Sequence, residues 1–188
     1  FIASTSAADI EFEADHSLPL VYLNVIVNAG SANDPANKLG LATLASQMLL
    51  RGTQKNSKSD FFQKLDEIGG SITTEVRAEG VIYKGAVLSE NLTAFLDLLE
   101  ETLVKQKFTA EELQKLKKEI EGQILQNKSE DRPLALYHFY RFFYGNHGYG
   151  NPELGTQHSI KTITNGDIID FYSRYFGAKT ITVMGSGA

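Results

Sequence analysis

The chain has no cysteine. That excludes disulfides and thiolate metal sites, and it leaves the compartment open, because a cysteine-free chain suits oxidising and reducing surroundings alike. Histidine is scarce as well: His16, His138, His147 and His158 are the only ones. No two of them stand three or four residues apart, the spacing at which two imidazoles on one helix share a metal. No apolar run approaches the roughly 20 residues that span a bilayer. The net charge of -5 is interspersed, with no basic patch or arginine-rich run to mark a nucleic-acid footprint. No repeat, low-complexity tract or Pro/Ser linker divides the sequence. What remains, 188 residues of which 42% are hydrophobic, suffices for a sizeable core in one domain or a tight pair of subdomains.

The two ends read as cuts through structure. Phe1-Ile2-Ala3-Ser4 has the character of mid-strand, with neither a Met nor a charged segment before an apolar stretch, and Val183 to Ala188 stops just after an expected strand. A mature or truncated piece of a longer parent is expected.

Along the chain, Ile10 to Glu13 alternates as a half-buried strand does. Asp15 to Pro19 is a turn, and Leu20 to Ser31 is a long β-rich run that reaches Gly30. Ala32-Asn33-Asp34-Pro35 turns into a short apolar helix, Gly40 to Gly52. A second helix, from about Ser59 to Ile68, is capped by Ser57 or Ser59, carries Phe62, Leu65 and Ile68 on one face, and stops at Gly69-Gly70. Strands follow at Ser71 to Arg77 and Val81 to Leu88. Ser89 opens a third helix with Leu92, Phe95, Leu96, Leu99 and Leu103 on one face. Thr109 and Glu112 form a capping box for a helix reaching about Lys128, with Leu113, Leu116, Ile120 and Ile124 inward and its charges solvated. The next helix, Leu134 to Tyr144, is dense in aromatics, and a stripe at helical spacing is expected to be core. His138 within it reads as a hydrogen-bonded core or surface histidine. A Gly-rich loop runs from Gly145 to Pro152, Thr164 caps a last helix from Asp167 to Tyr175, and Thr180 to Met184 is the closing strand. Strands first, helices grouped later and one closing strand argue an α+β fold, an antiparallel or mixed sheet packed by helices. No Ser-His-Asp set emerges, and Gly185-Ser186-Gly187 is too short for a phosphate loop.

The segment Gly40 to Thr53 has the frame G-L-A-x-x-x-x-x-M-L-x-x-G-T. This frame resembles the active-site helix of the insulinase/pitrilysin family of zinc metallopeptidases, which includes the mitochondrial processing peptidases. Further pieces fit in order: an A-G-S strand end at Ala29 to Ser31, the acid-Pro turn at Asp34-Pro35, Gly69-Gly70, Glu130-Asp131-Arg132-Pro133, and the His147 to Gly155 loop. The resemblance spans about His16 to Gly185. Catalytic members carry H-x-x-E-H inside the frame. Here those positions hold Thr43, Ser46 and Gln47. A third ligand, a Glu from a later helix, falls by the resemblance on Gln123, about 76 residues after Gln47, with Glu119 and Glu121 nearby. A hydroxyl and an amide are poor zinc ligands, and Ser46 is no general base near neutral pH.

The resemblance therefore implies a single insulinase-like domain over residues 1–188, the first domain of one half of a larger parent, with no zinc of its own. It implies a non-catalytic role: completing the peptide chamber of an active zinc metalloendopeptidase, either a separate family subunit or a second half of the same parent chain. The emptied positions are expected to face a cleft. Ser71, Ile72, Thr73, Thr74, Glu75 and Val76 are expected to form an edge strand lining that cleft, on which extended peptide adds as a further strand. A scaffold domain that binds no peptide, and an active peptidase with a differently placed metal site, are the two other readings; a fortuitous metal site at His147 and His158 is a minor third. The resemblance fits periplasmic or cytoplasmic bacterial proteins and mitochondrial eukaryotic ones alike.

Overall fold

The structure, a computed structural model, describes residues 9–188; the strand character of Phe1 to Ser4 lies outside them. One five-stranded sheet carries the fold. Its strands are β1 (Asp9–Ala14), β2 (Leu20–Val27), β3 (Ser71–Val76), β4 (Val81–Leu88) and β5 (Ile181–Gly187), in the order β1-β5-β2-β4-β3. Only β1 and β5 run parallel; β5–β2, β2–β4 and β4–β3 are antiparallel. The fold is thus α+β with a mixed sheet.

Alternation decides which face is covered. Val21, Leu23, Val25 and Val27 of β2 and Val81, Tyr83 and Val87 of β4 are buried against helices, while Tyr22 and Lys84 on the other face are exposed. This is the period-2 signature of a sheet with one dry side. The helices are α1 (Leu41–Met48), α2 (Lys58–Glu67), α3 (Leu92–Val104), α4 (Ala110–Ser129), α5 (Asp131–Tyr144), α6 (Gln157–Thr162) and α7 (Asn165–Tyr175). Helix α1 lies over β3 and touches α4 and α7. Leu44, Met48, Leu116, Ile120 and Ile168 meet in that layer, all fully buried.

Local chemistry sets the helix ends. Ser57 closes a capping box with Asp60, and Thr164 closes one with Asp167. The box expected at Thr109 is only half made: Thr109 accepts from the Glu112 amide, but the Glu112 carboxylate turns to Lys115 and Arg51. Of the apolar positions expected to face inward, Leu113, Leu116, Ile120 and Ile124 are buried, whereas Leu96 is 44% exposed. Not all the charges around α4 are solvated. Lys117 is buried and donates to the carbonyls of Lys161 and Ile163, so it finishes α6 and the turn after it. Arg51 is buried too, and pairs with Glu112 and Glu119 of α4.

Helix α5 departs most from expectation. Its aromatics are not core: none of its residues is buried, and Phe142 is 90% exposed. It packs only through one side, against α4 and the turn at Gly148–Gly150, which leaves Phe139 and Phe143 stacked on each other in solvent.

Candidate functional site

The segment before α1 is held by a buried carboxylate. Gly40 precedes the helix in a left-handed conformation and offers no capping side chain. Asp34 supplies one from six residues upstream: it accepts from the amides of Gly40 (2.7 Å) and Ala42 (2.8 Å). These are orphan donors that any helix must satisfy. Burial pushes the Asp34 carboxyl up to about 7, against the downward pull of the Ala42, Gly40 and Leu41 amides. The acid-Pro turn is thus the detached cap of α1.

Within α1 the three emptied positions behave differently from one another. Thr43 is 1% exposed and its Oγ1 donates to the carbonyl of Glu153 (2.5 Å). Ser46 is fully buried, its Oγ donating back to the Thr43 carbonyl (3.1 Å), and its own carbonyl accepts from the Tyr83 phenol (2.9 Å). Gln47 is half-buried, and Gln123 on α4 is exposed. Two of these four positions are therefore packed into protein and do not face a cleft. Zinc finds no fitting donors here: the Thr43 and Ser46 hydroxyls are committed to backbone carbonyls, and neutral amides make up the rest. Elsewhere among the described residues no three His, Cys, Asp or Glu side chains converge as a metal site requires, which leaves His147 and His158 without a ligand set.

A large cleft does open beside this helix. It holds about 1160 Å³ between the C-terminal end of α4, the inner side of α5 and the loop from Tyr149 to Thr156. Its wall takes Arg77, Ala78 and Glu79, the residues that follow β3, together with Glu153. The strand residues Ser71 to Val76 do not line it; β3 runs out at its rim, and among the described residues it is one of the two edge strands of the sheet. Thr43, Gln47 and Gln123 do not line it either.

Backbone geometry fixes this wall. The amides of Ser31 and Ala32 donate to the carbonyls of Arg77 and Ala78 (3.0 and 2.9 Å), and the Asn151 amide group donates to the Ser31 carbonyl (3.0 Å). Gly155 has φ +73°, and a Cβ there would run into the Leu39 carbonyl, so the loop lies directly on the approach to α1. Tyr149 donates its phenol to Glu79. The Ser31 hydroxyl is buried without a partner. Glu153 is exposed on the cleft wall. Desolvation raises its carboxyl above the usual range, nearby Arg77 lowers it, and Glu75 raises it further.

These features agree with comparisons to known proteins. A family model described as "Insulinase (Peptidase family M16)" matches residues 10–157. The chain is similar to a Helicobacter pylori protein named "Non-peptidase homolog YmxG", 27% identical over 176 residues, or 94% of this chain and 41% of the relative. It is similar to an "Uncharacterized zinc protease" of Rickettsia felis, 25% identical over 89% of this chain and 40% of the relative. Among solved structures it shares its fold with a "peptidase M16 inactive domain" from Pseudomonas fluorescens, at a TM-score of 0.90 and 24% identity over 96% of this chain and 44% of the other. The chain thus spans about two fifths of the proteins it matches. It belongs to the insulinase family, peptidase family M16.

Proposed function

We propose that this chain is a non-catalytic insulinase-family domain, the first domain of one half of a larger protein, which holds extended peptide for an active zinc metalloendopeptidase. That active centre belongs to a separate family subunit or to another half of the same parent chain. Thr43, Ser46, Gln47 and Gln123 stand at the positions of the family's zinc ligands and base, and the H. pylori relative's printed name supports a non-peptidase role. The observation that carries the peptide-holding part is β3. Among the described residues it is a sheet edge with no further strand on it, and its end opens on a large cleft beside α1. An unpaired edge offers its amides and carbonyls to an added strand.

The test is binding of an unstructured, end-blocked peptide to the full-length protein, read by fluorescence anisotropy. Strand addition predicts that methylating alternate backbone nitrogens of the peptide weakens binding by about tenfold or more. Equal binding of the two peptides contradicts strand addition. One observation favours the scaffold reading instead: the bare Phe139, Phe142 and Phe143 ridge on α5 suits a protein neighbour. That reading predicts no peptide binding at all by the full-length protein.

A further inference from the structure

Helix α5 has two unlike sides. Leu134, Tyr137, Tyr140 and Tyr144 line the cleft. Arg132, Ala135, Phe139 and Phe143 follow one another at intervals of three, four and four residues, the spacing that aligns side chains along one helix face. None of these four lines the cleft, and all are exposed. Phe142 flanks them. Phe139 is 54% exposed, Phe142 90% and Phe143 65%, and Leu136 at the cleft's rim is 43% exposed. The stripe holds no carboxylate. Its one charge is Arg132, which makes no ion pair among the described residues.

The stripe is graded along the helix. Arg132 and Ala135 make its first half low and positive, while Phe142 and Phe143 make its last turn bulky and aromatic. A second copy laid antiparallel matches each end with its complement. With a two-fold axis between residues 137 and 138, Phe143 of each copy falls opposite Arg132 of the other, placed for cation–π attraction. Phe139 falls opposite Leu136 and beside Ala135, whose small side chain leaves a groove for the ring. A parallel mate would bring the two arginines together and set bulk on bulk. The area agrees with pairing. The exposed parts of the three phenylalanines and Leu136 come to about 500 Å² in each copy. Two copies thus cover about 1,000 Å², the lower bound for a specific interface. We propose that this stripe is a self-association surface, through which two copies of the protein pair with their α5 helices antiparallel. The proposal is independent of peptide holding.

Sedimentation equilibrium of the full-length protein tests this. An interface near the lower size bound predicts a monomer–dimer equilibrium with a dissociation constant of about 1 to 100 μM. Phe139→Glu sets a carboxylate against Leu136 and Ala135 and is expected to weaken pairing about thirtyfold or more. Phe143→Glu sets its carboxylate against the other copy's Arg132, so it is expected to weaken pairing by less than about fivefold. Adding Arg132→Glu to Phe143→Glu is expected to bring the loss to that of Phe139→Glu. All three positions are exposed, and circular dichroism checks that each variant is folded. A protein that stays monomeric at about 200 μM, or a dimer that Phe139→Glu leaves intact, overturns the proposal. Phe143→Glu as damaging as Phe139→Glu overturns the antiparallel arrangement. Monomeric protein that floats with phosphatidylglycerol vesicles, and no longer floats with Phe139→Glu, would give the stripe to a lipid surface and overturn self-association.

Discussion

The hydroxyl of Thr43 donates to the backbone carbonyl of Glu153, a 2.5 Å bond across 110 residues of chain. One end of that bond is α1, and the other is the wall of the cleft between α4, α5 and the loop from Tyr149 to Thr156. The Thr43 side chain is therefore a strut between the helix and the cleft, buried and fully committed.

Removing the strut is expected to cost more than removing its neighbour. Thr43→Val keeps the shape and deletes the donor, so the Glu153 carbonyl loses its partner, a loss of about 1 kcal/mol. Ser46→Ala deletes a hydroxyl that bonds only the carbonyl one turn back, which the helix itself can satisfy, and is expected to cost less than about 0.5 kcal/mol. Urea denaturation of the two variants measures the difference. A larger effect from Ser46→Ala would contradict the assignment.

Refilling the motif should fail by sterics and desolvation. The combination Thr43→His, Ser46→Glu, Gln47→His and Gln123→Glu puts an imidazole where a small buried hydroxyl sits, and a carboxylate where Ser46 is fully buried. Overpacking and an unpaired buried charge together are expected to destabilise the domain by more than about 3 kcal/mol. Thermal melts test this. A fourfold variant as stable as the parent would show that these positions open onto solvent.

Stability should fall as pH rises between about 4 and 7. The folded-state pKa of Asp34 is raised to about 7 from an ordinary 3.8, mainly by burial. The folded protein therefore holds a proton that the unfolded chain has lost, and this contribution is complete below the unfolded pKa and gone above the folded one. Glu153, also raised, acts in the same sense. The depressed carboxyls of Glu75, Glu112 and Asp167 act oppositely, but their contributions disappear only as pH falls below their ordinary values near 4. Asp34→Asn is expected to flatten most of the slope across that window in urea titrations. A parent protein whose stability rises from pH 4 to 7 would contradict this account of Asp34.

Where sequence reading worked, local chemistry was strong. Thr109 and Thr164 open helices with a hydroxyl that accepts from the amide three residues on, and the apolar spacing of Leu113, Leu116, Ile120 and Ile124 is long enough to fix a face. Gly69-Gly70 and Ala78 to Gly80 bracket β3 so clearly that only its pairing was left open. Three things lay beyond that reading. Helix α6 is six residues long, too short to show a period, although Thr156 and Ser159 carry its capping box. Periodicity in α5 marks apolar positions but not whether anything covers them, and the described residues leave Phe139, Phe142 and Phe143 bare. The buried charges Asp34, Arg51 and Lys117 are legible only in three dimensions, because their partners are backbone groups or side chains far along the chain. The frame of α1 was plain in sequence; the burial of Thr43 and Ser46 within it was not.

In the function proposed above, this domain holds peptide and does not cut it. The direct measurement incubates the full-length protein, with its Thr43, Ser46, Gln47 and Gln123 intact and no active partner present, with a labelled unstructured peptide. Anisotropy follows binding, mass spectrometry follows the peptide's integrity, and elemental analysis counts bound zinc. Saturable binding, an intact peptide and less than about a tenth of an equivalent of zinc at this domain's positions are predicted. Chelator-sensitive cleavage that survives disabling of any H-x-x-E-H site elsewhere in the protein, or one tightly held zinc that vanishes with Gln47→Ala, would contradict it.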